Sequence, residues 1–120
     1  EYRTGLRGEA TALSTPGNGV MIVAGVSRRG EESVNVLLRS DDGGNRWTEQ
    51  IVPVRMEGIA FADPANGVVS GGNTVLRTTD GGRSWLTTVV PTEAVFHTTA
   101  TAGGYYWVGG DFAHIVRLEP

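Results

Sequence analysis

The chain repeats itself, and that repeat restricts its fold more than any other feature. Ser40-Asp41-Asp42-Gly43-Gly44-Asn45-Arg46-Trp47 is answered by Thr78-Thr79-Asp80-Gly81-Gly82-Arg83-Ser84-Trp85, with Asp42 and Asp80, and Trp47 and Trp85, each 38 residues apart. Ile51-Val52-Pro53 falls on Val89-Val90-Pro91, and Gly71-Gly72 on Gly109-Gly110, at the same offset. The third copy then carries about two extra residues, so that Val75-Leu76-Arg77 matches Ile115-Val116-Arg117. In the first copy Asn18-Gly19-Val20 answers Asn66-Gly67-Val68.

Within one unit, short apolar runs alternate with turn signals. Gly58-Ile59-Ala60-Phe61-Ala62 leads to a turn at Asp63-Pro64-Ala65-Asn66, and Gly67-Val68-Val69-Ser70 to a turn at Gly71-Gly72-Asn73. Thr74 to Thr78 then enters the Asp-Gly-Gly loop, and Trp85 to Val89 closes the unit. That spacing predicts four short strands per repeat. No stretch holds the apolar period of a helix. Four-stranded units at this period are blades of a β-propeller, because a lone blade exposes both sheet faces and buries them only between neighbours. The expected fold is all-β, built of four-stranded antiparallel blades. Residues 1–120 read as one propeller segment, with blade 1 at about 8–53, blade 2 at about 54–91 and a partial blade 3 at about 92–120.

Composition agrees. Eighteen of 120 residues are glycine, about twice the ordinary share. β-Branched residues suit pleated strands, and glycine supplies the positive φ of tight turns. The apolar fraction of 39% can form a core, which argues against disorder. Cysteine is absent, which excludes disulfides, thiolate nucleophiles and Cys-ligated zinc. All ten basic residues are arginine, against 13 acidic ones, and a net charge of −3 does not suit a dedicated nucleic-acid binder. No apolar run approaches the ~20 residues of a membrane helix, so no direct membrane insertion is expected. A chain starting at Glu1 reads as a processed product or an excised piece.

Ser/Thr-x-Asp-x-Gly-x-x-Trp is the pattern of the Asp-box, or BNR repeat. It stands twice, as Ser40, Asp42, Gly44 and Trp47 and as Thr78, Asp80, Gly82 and Trp85. The wider run from Gly58 to Trp85 resembles the β-propeller family of photosystem II assembly and stability factors. In each box the carboxylate of Asp42 or Asp80 can accept from loop N–H groups, Ser40 or Thr78 adds a hydroxyl, and the tryptophan ring covers the loop. A calcium loop would need more carboxylates and a bidentate Glu, so the boxes read as structural and no metal or cofactor is expected.

Nothing in the chain reads as an active site. His97 and His114 lack the spacing of a metal pair, and no nucleophile elbow, phosphate loop or dinucleotide fingerprint appears. Asp-boxes also occur in sialidases. Arg28-Arg29 and Tyr105-Tyr106 supply such an enzyme's residue types, but no spacing gathers them and the Arg-Ile-Pro motif is missing. No enzyme activity is expected. Tyr105-Tyr106-Trp107 reads as packing between blades, alternate residues pointing to opposite faces.

Parity along each blade puts the Asp-boxes on one rim. The turns between second and third strands, with the links from blade to blade, fall on the other. That second rim holds Arg28, Arg29, Arg55, Glu57, Asn73, Asp111 and Phe112, the expected protein-binding residues. The insertion around Ser27 to Ser33 is the longest departure from the repeat, as binding faces often show.

Two blades and part of a third cannot close a ring. Closure would come from the rest of a longer chain, from self-association, or from another subunit, and the segment Glu1 to Arg7 could lend a strand. The resemblance implies a non-catalytic protein-binding scaffold that assembles or stabilises a membrane protein complex, outside the cytoplasm in a periplasm or thylakoid lumen. The alternative is a sialidase-like or lectin-like propeller fragment directed at carbohydrate.

Overall fold

The computed structural model describes residues 8–17, 19–90, 95–102, 104–110 and 115–118. These residues form strands and turns, with no helix among them. The first sheet has β1 (Gly8–Gly17), β2 (Val20–Arg29), β3 (Glu32–Ser40) and β4 (Thr48–Val52), in that spatial order. The second has β5 (Gly58–Phe61), β6 (Gly67–Gly71), β7 (Thr74–Thr78) and β8 (Leu86–Val89), again in order. The third has β9 (Phe96–Ala102), β10 (Tyr105–Gly110) and β11 (Ile115–Leu118), with β10 in the middle. Every pairing is antiparallel. The first strands β1, β5 and β9 lie next to one another in turn. Three meandering sheets side by side, joined through their first strands, are part of a β-propeller.

Strand parity divides the core between neighbours. Ala24, Leu37 and Val52 of the first sheet pack against Met56, Val69 and Leu76, with Ile59 and Trp85 at the edge. On the other face of the second sheet, Val68 and Val75 pack against Phe96, Tyr106 and Val108 of the third. Val69 and Val68 are adjacent in sequence yet serve different interfaces. This is why β6 is buried along its whole length. The outermost strand β8 is exposed throughout, since no sheet lies beyond it.

Backbone hydrogen bonds pin the links between sheets. Glu57 N donates to Ser70 O at 2.8 Å and Phe96 N to Gly72 O at 2.7 Å. Here Gly71 and Gly110 have equivalent duties. A Cβ on Gly71 would lie 2.0 Å from Arg55 O, and one on Gly110 would lie 2.2 Å from Val95 O. Only glycine lets the linker cross the sheet that closely.

Two expected equivalences shift: the counterpart of Gly71 is Gly110, not Gly109, and that of Val68 moves as well. Opposite Arg39 stands Ile22, and opposite Arg77 stands Val68. The counterpart of Val68 is therefore Ile22, not Val20. Gly19 O and Ala65 O likewise receive the equivalent N–H groups of Gly43 and Gly81, at 3.0 and 2.9 Å. The β2–β3 hairpin of the first copy is therefore two residues shorter than the sequence alignment of the repeats implies. Pairing across the sheet fixes the register, while a turn absorbs a difference in length.

Candidate functional site

The two Asp-Gly-Gly loops join β3 to β4 and β7 to β8 and have parallel chemistry. In the first, Ser40 Oγ donates to Asp42 Oδ1 at 2.8 Å and accepts from Gly44 N at 2.9 Å. Asp42 Oδ1 also accepts from Asn45 N at 3.0 Å and Arg46 N at 2.9 Å. In the second, Thr78 Oγ1 donates to Asp80 Oδ1 at 2.8 Å and accepts from Gly82 N at 2.9 Å. Ser84 donates to Asp80 twice, N to Oδ1 at 2.9 Å and Oγ to Oδ2 at 2.5 Å. Gly44 and Gly82 sit at φ values of 96° and 90°, a region closed to most side chains. The Trp47 indole N–H donates to Gly44 O at 2.9 Å.

These donors hold both carboxyls below the ordinary carboxylate range. For Asp42 the Arg46 amide is the largest cause, followed by the Ser40 hydroxyl. For Asp80 the Ser84 side chain leads, then its amide. The hydrogen bonds of both box carboxylates run to their own loops, which they close. Among the described residues no group of three His, Cys, Asp or Glu side chains could hold a metal ion.

Arg28 and Arg55 meet on the opposite rim. They line a cleft of about 360 Å³ together with Gly8, Glu9, Val26 and Ser33. Arg55 is held between Glu9 at 2.8 Å and Glu57 at 3.2 Å. Arg29 instead pairs with Glu49 of β4. Asn73 closes the β6–β7 turn, its carbonyl accepting from Val90 N at 2.8 Å and its side-chain oxygen from Thr74 Oγ1 at 3.3 Å. The structure therefore gathers Arg28, Arg55 and Glu57, while Arg29 and Asn73 have local duties. Asp111, Phe112, His114 and the His97 side chain lie outside the described residues.

A larger cleft, of about 530 Å³, opens between the first and second sheets on the Asp-box side. Arg39, Asp41, Gln50, Arg83 and Trp85 line it over an apolar floor of Ile22 and Leu37. Arg39 spans the junction: its Nε donates to Gly81 O at 2.9 Å and its Nη1 pairs with Asp41 at 3.2 Å. Sequence reasoning passed over this residue. The available signal was positional, because an arginine immediately precedes both boxes, at Arg39 and Arg77.

The tyrosines do not converge on a site. Tyr106 is buried against the second sheet beneath the Arg77 guanidinium, 5.4 Å from its ring centre. Tyr105 points to the other face under Arg117, at 4.5 Å. Burial pushes the Tyr106 phenol up, away from what a nucleophile needs.

No protein-family model and no curated protein matches this sequence. Seven chains of solved structure match its fold. One of them, YCF48 bound to D1 peptide, is 21% identical with a TM-score of 0.75. The match covers 93% of this chain and 36% of that one, so this chain spans about a third of the length of the protein it resembles. Sheet order, antiparallel meander and this likeness lead to one conclusion: the chain has the fold of part of a β-propeller.

Proposed function

We propose that this chain is a non-catalytic propeller segment that holds another protein, as an assembly factor for a membrane protein complex does, on the rim around Arg28 and Arg55. The observation that supports this reading most is the fold likeness to YCF48 in a peptide-bound state. The rim cleft adds a local reason. No hydrogen bond within the described residues engages Arg28 there, so its planar fork is available for a carboxylate or a carbonyl. Glu9 and Glu57 beside Arg55 supply acceptors for backbone N–H groups. A partner laid across this rim would meet alternating charge, which fixes register more than it adds affinity. The reading goes with a location outside the cytoplasm.

The test uses a fluorescently labelled D1 peptide and measures anisotropy against the purified chain. Binding weakened about tenfold or more in the Arg28→Ala/Arg55→Ala double variant is the expected result. A flat titration, joined to a pull-down from solubilised membranes that recovers no complex subunit, would defeat the reading. A glycan screen run alongside decides the carbohydrate alternative. Glycan binding lost in Tyr105→Ala would support it instead.

A further inference from the structure

The two Asp-box tryptophans hold equivalent places but are not bonded alike. Trp47 Nε1 donates to Gly44 O. Trp85 Nε1 has no acceptor within the described residues, and its ring instead meets Phe61 edge-on, 6.3 Å between centres. Every buried side-chain nitrogen among those residues has a partner, so this N–H is open to solvent. The ring edge that carries it lies beside Gly82. A Cβ there would stand 2.7 Å from Ile22 Cδ1, 3.3 Å from Trp85 Cζ2 and 3.6 Å from Arg39 Cδ. All four residues line the cleft of about 530 Å³ between the first and second sheets, so the indole N–H opens into that cleft.

The lining is short of acceptors, not of donors. Its two carboxylates are engaged, Asp41 with Arg39 and Glu49 with Arg29. Arg39 uses Nε and Nη1, which leaves Nη2 without an acceptor within the described residues. Arg83 is exposed, and its one hydrogen bond is long, from Nη1 to Asp80 O at 3.3 Å. The uncommitted charge at the mouth is positive. Beneath it lie the buried side chains of Ile22 and Leu37, with the Trp85 ring beside them. A floor of this kind takes hydrocarbon, while a guanidinium and an indole N–H take an oxygen acceptor.

We infer that this cleft binds a small carboxylic acid with an aromatic or branched aliphatic body. The body rests on Ile22, Leu37 and Trp85, and the carboxylate accepts from Arg83 and Trp85 Nε1. An inorganic anion lacks the body, and an amine would meet the arginines. The cleft lies on the Asp-box side, away from the rim around Arg28 and Arg55, so the inference stands whether or not that rim holds a partner.

The test follows the three indole N–H resonances of the isotope-labelled full chain by two-dimensional NMR during titration with phenylacetate. The Trp85 resonance is identified by its loss in Trp85→Phe. It is expected to move and saturate with a Kd of about 1–10 mM, the range of a ligand this small. The Trp47 resonance, whose N–H is already bonded, should stay fixed. Arg83→Ala is expected to weaken binding about fivefold or more, with a spectrum that otherwise matches wild type because the side chain is exposed. Arg46→Ala, on the first box and outside the cleft, should bind as wild type does. Phenylacetamide keeps the ring without the charge, and acetate the charge without the ring; each should bind about fivefold more weakly or worse. A Trp85 resonance that stays fixed up to about 50 mM ligand overturns the inference. So do equal responses of all three indoles, or binding by phenylacetamide or acetate that matches phenylacetate. N-acetyl-Gly-Gly-Phe presents the same ring and carboxylate at a chain end. If it binds about tenfold tighter than phenylacetate, the small-acid assignment falls in favour of a protein terminus.

Discussion

Asp42 and Asp80 tie the stability of this molecule to acid. Each carboxylate accepts several hydrogen bonds that require it ionised. Asp63 does likewise in the β5–β6 turn, where the Asn66 side chain and amide are the chief donors. All three have folded pKa values below the ordinary 3.8. The unfolded chain therefore takes up these protons at higher pH than the folded one. The stabilisation is fully present above the ordinary value and is lost as pH falls through the lowered folded values. Melting temperature should stay level from about pH 7 to about pH 5 and decline below about pH 4. The Asp42→Asn/Asp80→Asn double variant should melt lower at neutral pH and show a shallower acid decline. An unchanged acid slope in that variant would assign the effect to other groups. This part of the molecule was legible beforehand, because the box bonds run between residues at most four apart. The sequence alone cannot show that Arg39 reaches Gly81, 42 residues away.

At the scale of elements, the links between sheets are the sensitive points. Gly71→Ala would drive a methyl group into the Arg55 carbonyl, which belongs to the backbone and cannot swing aside. A cost of about 2–4 kcal/mol in urea denaturation is expected. Gly30 has a φ of 65° in the β2–β3 turn, and a Cβ there would meet nothing within 4 Å. Gly30→Ala should cost only the backbone strain, about 1–2 kcal/mol. Equal costs for the two would mean that the linker crossing is not tight. Turn glycines announce themselves through neighbouring Asn and Asp residues. Gly71 reads in the sequence only as part of the turn before Asn73; its crossing role is not visible there, because that constraint comes from a carbonyl distant in sequence. The hairpin at Gly19 shows the same boundary: the repeat is visible, but the two-residue offset between Val20 and Ile22 appears only through the ladder to Arg39.

Taken whole, the described residues form a row of sheets whose main contacts are with their neighbours, so unfolding need not be all-or-none. Trp47 and Trp85 follow the Asp-box loops of the first and second sheets, and Trp107 lies on β10 of the third, giving each sheet its own fluorophore. Phe96 fills the junction of the second and third sheets and is fully buried. Phe96→Ala should cost about 3–5 kcal/mol at that junction. In single-tryptophan versions of this variant, the Trp107 signal is expected to change at lower urea than that of Trp47. Coincident transitions would show that the three sheets unfold together. The sequence by itself determined the repeat, the strand count per unit and the loop residues, because hairpins are governed by local φ preferences and by hydrogen bonds between near neighbours. Only the tertiary structure decided which face meets which sheet, that Arg28 and Arg55 share a cleft while Arg29 does not, and that Tyr106 is buried while Tyr105 is not. Those outcomes depend on contacts between residues far apart in the chain, and a one-residue change of register would reverse every one of them.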